Sequence, residues 1–169
     1  MTGRVICRWL LASLMLQAGC LGYRVGNVSK LGYQTVAVPM FRNATTQPQM
    51  EAQVTNAILK RFQQDGTLRV HARDSADVVL LGEITRYQRT PLRFQRDDSG
   101  VPREYRVMIT AKIEARDRRT GEMVLPATTL TGSAETFIGS DLQSADLQAL
   151  PLAVDDLARQ VVSLLVEKW

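Results

Sequence analysis

The segment EYRVMITAKIEAR, residues 104–116, alternates between apolar and polar side chains almost without interruption. Because successive side chains of a β-strand point to opposite faces, this pattern predicts a long strand with one face in a core and one in water. The predicted core face holds Tyr105, Val107, Ile109, Ala111 and Ile113, and the predicted wet face holds Arg106, Met108, Thr110, Lys112 and Glu114. The rest of the chain must therefore cover one side of a sheet.

Four other segments have the composition of strands, at residues 34–40, 67–70, 77–88 and 123–138. The segment at 77–88 begins with consecutive apolar residues, which favours a central strand covered on both faces near its start. Pro39 indicates an edge position or the end of the first strand. The sequence DRRTGEM before the last strand predicts a hairpin turn that contains glycine.

Two segments have the three- and four-residue apolar spacing of amphipathic helices. The first, at 47–64, is expected to be capped by Thr45 or Thr46 and to end at Asp65-Gly66. Its predicted face consists of Met50, Val54, Ala57, Ile58, Arg61 and Phe62. The second has a stripe of Leu147, Leu150, Val154, Leu157, Val161 and Leu164, expected to pack on the sheet. Pro151 predicts either that the main helix begins there or that the segment kinks.

The resulting order of elements, β-α-β-β-β-β-α, predicts an α/β fold. We expect a two-layer sandwich in which two helices pack on one face of a mixed four- to five-stranded sheet. Residues 34–169 are predicted to form this single domain, which leaves the other face of the sheet available to a partner. Without residues 1–19 the chain has 150 residues, enough for one compact core.

The N-terminus has the layout of an export signal. Arg4 and Arg8 precede a mostly apolar run at 9–18, which is about half the roughly 20 residues that a membrane-spanning helix needs. The run ends in Ala18-Gly19-Cys20, the pattern of a bacterial lipoprotein signal. We therefore predict a signal peptide at 1–19, lipidation of Cys20 and a tether at 20–33, with the membrane contacted through this anchor. Leu21, in place of aspartate, favours the outer membrane.

The charge, the cysteines and the single histidine of the chain argue against several functions. The mature chain has a net charge of +2, too mild to indicate nucleic-acid binding. Cys7 leaves with the signal and Cys20 is consumed by lipid, so no thiol remains for a disulfide, a metal or catalysis. His71 is the single histidine and lies in a polar connection, and the chain has no nucleophile or metal-binding motif. We predict that the protein is not an enzyme and has no cofactor.

The chain resembles the LPS-assembly lipoprotein (LptE) family over essentially its whole mature length. The resemblance lies in the order of the lipoprotein signal, CLGYRVG, TVAVPMFRNATTQPQMEAQVTNAILKRFQQDGTLRV, ADVVLLGEITRYQRTPLRF, REYRVMITAKIEARDRRTGE and the last helix. It implies a non-enzymatic outer-membrane lipoprotein on the periplasmic side. Such proteins plug the lumen of the LptD β-barrel, assist its assembly and bind lipopolysaccharide at the last step of its export.

An alternative is a periplasm-facing regulatory or secretion lipoprotein of the curli-secretion or penicillin-binding-protein-activator type. Those families also begin with a V-A-V strand, an Asn-Thr loop, a helix and a short strand. We expect further helices in them where this chain has three long strands between 77 and 138, so the strands favour the first interpretation.

Residues 86–106 contain six arginines and three acidic residues. One interpretation is a solvated hairpin in which arginines keep the strands soluble. The other is that Arg89, Arg93, Phe94 and Arg96 contact a phosphorylated glycolipid or an acidic barrel wall, because guanidinium groups pair with phosphate through two hydrogen bonds. Asp97-Asp98-Ser99-Gly100 is the predicted turn at the tip.

Overall fold

The computed structural model describes residues 32–94, 102–137 and 142–167, with side chains from residue 147 onward in the last range. The predicted signal peptide, Cys20, nearly all of the predicted tether, Arg96 and the predicted tip turn lie outside the described residues. The elements are β1 (Thr35–Ala37), β2 (Arg42–Asn43), α1 (Met50–Asp65), β3 (Arg69–Val70), β4 (Val78–Phe94), β5 (Pro102–Asp117), β6 (Met123–Phe137) and α2 (Leu142–Glu167).

The strands form one mixed sheet in the order β3-β1-β4-β5-β6, with β2 also paired to β4. Strand β1 is parallel to β3 and β4, and β2 is parallel to β4. Strands β4, β5 and β6 form an antiparallel meander. This confirms the predicted α/β fold. Strand β2 was not predicted, because two residues are too few to show an alternating pattern.

The main core lies between the sheet and the two helices. Val107, Ile109, Ala111 and Ile113 are at most 1% exposed, which confirms the predicted inward face of β5, while Tyr105 is only half-buried. Both helices contribute to the same core, which includes Phe62 of α1 and Leu157 of α2. On the other face, Met108 and Thr110 are partly exposed and Lys112 is exposed. We call this side, which carries neither α1 nor α2, the uncovered face.

The start of β4 is covered on both sides, as its apolar run predicts. Val78 and Leu80 belong to the main core. Val79 packs in a second, smaller cluster with Ala37 and Ala76 on the other side of the sheet. The strand continues to Phe94, six residues beyond its predicted end.

Helix α1 ends as predicted but begins differently. Gly66 has a φ of 75°, and its N–H donates to the Phe62 carbonyl oxygen at 3.0 Å, so the glycine end is confirmed. The predicted threonine cap is wrong, because Gln49 occupies the cap position with a φ of 62° and no side-chain cap. The Thr45 hydroxyl instead donates to Asn43 Oδ1 at 2.7 Å, within the turn that precedes the helix.

Helix α2 begins before Pro151, which lies inside it, so the prediction of a start at Pro151 is wrong. The predicted stripe is correct in its centre and wrong at its beginning, because Leu147 is 72% exposed. Small residues that the leucine spacing does not mark complete the buried face at Ala149, Ala153 and Ala158. No helix within the described ranges is long and apolar enough to cross a bilayer.

Helix α2 also covers the outer edge of β6. The Ser133 N–H donates to Asp156 Oδ2 at 3.0 Å, and Gln160 Nε2 donates to the Thr131 carbonyl oxygen at 3.0 Å. Burial raises the pKa of Asp156, but its hydrogen bonds with Ser133, Arg159 and Gln160 outweigh this, and the net pKa is lowered. The helix thus satisfies backbone groups that an edge strand would otherwise leave unpaired.

The hairpin between β5 and β6 closes as its glycine predicts. Asp117 Oδ1 accepts hydrogen bonds from the N–H groups of Arg119 and Thr120, at 2.7 and 2.8 Å. Gly121 has a φ of 75°, a conformation that glycine adopts without strain. At this end of the sheet the Tyr33 hydroxyl donates to Asp117 Oδ2 at 3.0 Å.

Asp77 joins the beginnings of β1 and β4 and is expected to make the fold sensitive to acid. The backbone N–H groups of Gln34 and Thr35 and the Thr35 hydroxyl donate to Asp77 Oδ2 at 2.8–2.9 Å. These bonds, the Gln34 N–H first, lower the Asp77 pKa. Its stabilisation is therefore present above the unfolded-state pKa of about 3.9 and lost as the pH falls through the lower folded-state value.

Asp77→Asn is expected to cost about 1 kcal/mol of unfolding free energy at neutral pH, since charged hydrogen bonds are screened at this exposed position. Urea unfolding at pH 7 and near pH 2 should show a smaller acid loss in the variant than in the wild type. Asp74→Asn, which removes a nearby carboxylate outside these bonds, is the control. Equal acid losses in all three proteins would contradict the assignment.

Candidate binding pocket at the distal end of the sheet

The ends of three strands meet where β4 finishes, β5 begins and β6 finishes. We call this the distal end. Arg93 of β4 lies opposite Glu104 of β5, and Glu104 lies opposite Phe137 of β6. Register shifts in the pairing of β4 with β5, between Pro91 and Arg93 and between Arg93 and Phe94, interrupt the regular ladder, so simple alternation does not assign these side chains to the two faces of the sheet.

A cavity of about 300 Å³ lies at this end. We call it the distal pocket, and the described residues that line it are Arg93, Phe94, Arg103, Glu104 and Phe137. Phe94 is 56% exposed and Phe137 is 65% exposed. Large aromatic side chains with this exposure contribute little to the core, and two of them in one hollow provide a surface for an apolar or flat partner.

The charges in the distal pocket are unevenly buried. Arg93 Nε lies 3.3 Å from Glu104 Oε2, and the side chain of Arg93 is 77% exposed while that of Glu104 is 8% exposed. Arg103 is exposed and has no ion pair with any residue in the described ranges. Both guanidinium groups are therefore accessible to solvent, whereas the carboxylate of Glu104 is buried.

This arrangement is suited to an anion attached to a larger apolar or ring-shaped group. Guanidinium groups bind phosphate through parallel hydrogen bonds, and the phenylalanine rings offer contact area beside them. A second hollow of about 340 Å³ on the uncovered face is less suitable, because the described residues that line it include no aromatic side chain and its arginine is already paired. Arg42 Nη2 contacts Glu83 Oε1 there at 2.6 Å. The described residues contain no cluster of side chains that could hold a metal ion.

The structure brings together only part of the predicted site. Arg93 and Phe94 lie in the distal pocket, whereas Arg89 is four residues earlier on β4, roughly 13 Å along the strand. The Arg89 guanidinium carbon lies 5.7 Å from the centre of the Tyr87 ring. Arg96 lies outside the described residues.

Three residues of the distal pocket were missed by sequence reasoning: Arg103, Glu104 and Phe137. A hairpin register that places Arg93 opposite Glu104 would have indicated the first two, but the register shifts between β4 and β5 cannot be read from residue types. Phe137 is distant in sequence, and its position follows only from the pairing of β5 with β6.

The family model described as LptE, lipopolysaccharide-assembly, matches residues 33–165. No curated protein gives a significant match to the sequence.

Several solved structures share the fold. The hypothetical protein CT253 from Chlamydia trachomatis has a TM-score of 0.58 at 13% identity, covering 80% of this chain and 97% of that one. A minor lipoprotein from Acinetobacter baumannii has a TM-score of 0.54 at 12% identity, with 80% and 95% covered. A lipoprotein from Caulobacter crescentus has a TM-score of 0.50 at 11% identity, with 76% and 88% covered. At these identities the likeness concerns the fold alone.

Proposed function

Because the chain belongs to the LptE lipopolysaccharide-assembly family, we propose that it acts at the last step of lipopolysaccharide transport to the outer membrane. It is a plug and assembly partner of an LptD-like β-barrel, and it has no catalytic activity. It lies on the periplasmic side of the outer membrane, anchored through lipid on Cys20. The observation that carries this proposal is the family match, which extends across the sheet and both helices.

The uncovered face supports the docking part of this proposal. Many of its side chains are polar and form bonds between neighbouring strands, including Thr110 Oγ1 to Thr131 Oγ1 at 3.0 Å and Arg106 Nη2 to Glu135 Oε1 at 2.5 Å. A sheet surface that carries many polar groups is compatible with the polar interior wall of a large barrel. The face needs no unfolding or rearrangement to reach a partner.

The distal pocket supports the lipid-binding part of the proposal. Lipopolysaccharide presents phosphate groups next to sugar rings and acyl chains, and the pocket presents Arg93 and Arg103 beside Phe94 and Phe137. The predicted contact at Arg93 and Phe94 is retained here, and Arg103 and Phe137 are added to it.

Replacing Arg93 and Arg103 together by glutamine is expected to weaken lipopolysaccharide binding about tenfold or more. Each lost charged hydrogen bond costs about 1.5–3 kcal/mol, less the screening at exposed positions. Binding of purified lipopolysaccharide and of the barrel partner should be measured separately, together with melting temperature. Arg73→Gln, an exposed arginine away from the distal pocket, is the matched control.

The two binding measurements separate the possible roles of the arginines. Loss of lipid binding alone supports the glycolipid site. Loss of barrel binding alone makes the distal end a docking surface for the barrel. If neither binding measurement changes and the melting temperature is the same, the two arginines are solvated surface residues and contribute to neither interaction.

Mass spectrometry of the mature protein is expected to find Cys20 as the first residue, carrying fatty acyl chains. Cys20→Ala is expected to move the protein from the membrane fraction to the soluble periplasmic fraction, because the acyl chains supply the anchor. An unmodified terminus, or cleavage at another position, would contradict the lipid anchor and leave the family assignment untouched.

A further inference from the structure

Glu104 is the residue of the distal pocket that binding of phosphate alone does not explain. A carboxylate next to two arginines weakens the attraction of the pocket for any anion. The Glu104 side chain is nevertheless only 8% exposed and lines the cavity. At this depth the carboxylate does not serve to keep the protein soluble. Buried ionised groups are costly unless they have hydrogen-bonding partners.

The hydrogen bonding of Glu104 is incomplete. Its Oε2 atom is buried and accepts no hydrogen bond within the described part of the chain. Arg93 Nε lies 3.3 Å from this oxygen and contributes a positive charge, but its N–H is not aligned for a hydrogen bond to the oxygen. The carboxylate thus has capacity for a donor that the described residues do not provide, and the cavity beside it is where such a donor can arrive.

We propose that Glu104 makes the distal pocket selective for a phosphate ester that carries an ammonium group close to the phosphate. Arg93 and Arg103 bind the phosphate, and Glu104 accepts the hydrogen bonds of the ammonium. The charges agree with this division, because two arginines and one glutamate leave one net positive charge, which matches a phosphate monoester dianion combined with one ammonium. This inference rests on the proposed anion-binding role of the pocket and adds a selectivity to it.

The test uses three small probes that differ in a single group: ethyl phosphate, 2-hydroxyethyl phosphate and 2-aminoethyl phosphate. Their dissociation constants are measured by NMR titration of the full-length mature protein. The wild type is expected to bind 2-aminoethyl phosphate about tenfold more tightly than ethyl phosphate, the size of one charge-assisted hydrogen bond. Glu104→Gln is expected to abolish this preference and to bind ethyl phosphate at least as tightly as the wild type.

The wild-type comparison stands even if Glu104→Gln lowers the melting temperature, because it needs no variant. Equal affinity of the wild type for all three probes overturns the inference, as does a preference that survives in a folded Glu104→Gln protein. A gain of the same size with 2-hydroxyethyl phosphate also overturns it, since the ammonium charge is then not recognised.

Arg93→Gln and Arg103→Gln distinguish failure of the inference from failure of the proposed function. If both substitutions weaken all probes while the ammonium preference is absent, only the selectivity is wrong. If neither substitution affects any probe, the anion site itself is wrong and the selectivity is overturned with it.

Discussion

Ile109→Asp is expected to unfold the domain. Ile109 is fully buried on the inward face of β5 and lies opposite Tyr87 of β4 and Gly132 of β6. An aspartate there would place an unpaired carboxylate in the core, at a cost of about 3–5 kcal/mol in addition to the lost apolar contacts. Since a domain of this size has a total stability of about 5–15 kcal/mol, little or none should remain.

Thr129→Asp is the matched control, because it introduces the same side chain at an exposed position on the neighbouring strand. Thr129 lies opposite Lys112 on the uncovered face, where a carboxylate gains an oppositely charged neighbour. Circular dichroism and urea unfolding should show a native Thr129→Asp protein and a largely unfolded Ile109→Asp protein. A folded Ile109→Asp protein with wild-type stability would show that the inward face of β5 has been assigned to the wrong side.

Gly132→Val is expected to destabilise the domain by about 3 kcal/mol, through a clash between β6 and the backbone of α2. A Cβ atom at Gly132 would lie 2.3 Å from the Ala153 carbonyl oxygen and 2.5 Å from the Leu157 nitrogen. Both atoms belong to a helix backbone, which cannot turn aside as a flexible side chain can. The helix would have to move away from the strand and lose the bonds of Asp156 and Gln160 to the β6 edge.

Strand preference alone would predict that Gly132→Val stabilises β6, since valine is favoured in strands and glycine is not. Ser133→Val is therefore a suitable control, because its side chain is exposed and only the strand preference applies there. Urea midpoints should fall strongly for Gly132→Val and stay constant or rise slightly for Ser133→Val. Equal changes in both variants would mean that strand preference, and not contact with the helix, governs position 132.

Local patterns were sufficient for most of the secondary structure. The alternation at 104–116 fixed the inward face of β5, and the spacing from Met50 to Phe62 identified α1, because burial on one side imposes a period that residue types record. The glycine that ends α1, Gly66, and the glycine in the turn between β5 and β6, Gly121, were also predictable, since a positive φ is costly for other residues. In each case a single element and its own neighbours contain the necessary information.

The residues of the distal pocket could be predicted only in part from local sequence patterns. Arg93 and Phe94 were predicted from an arginine-rich hairpin, but the same reasoning included Arg89, which lies against Tyr87 and outside the pocket. Exposed arginines and aromatics occur along the whole strand, and composition does not say which of them face one another. The register shifts between β4 and β5 and the pairing of β5 with β6 decide this.

The sequence by itself determined which segments are strands and helices, which face of β5 is buried, and the family to which the chain belongs. Only the tertiary structure decided that Glu104 and Phe137 join Arg93, that α2 approaches Gly132 closely, and that Leu147 lies outside the core. The physical reason is the range of the interactions. Propensity and periodicity act between residues a few positions apart, whereas register, close packing and pocket formation depend on contacts between segments that are distant along the chain.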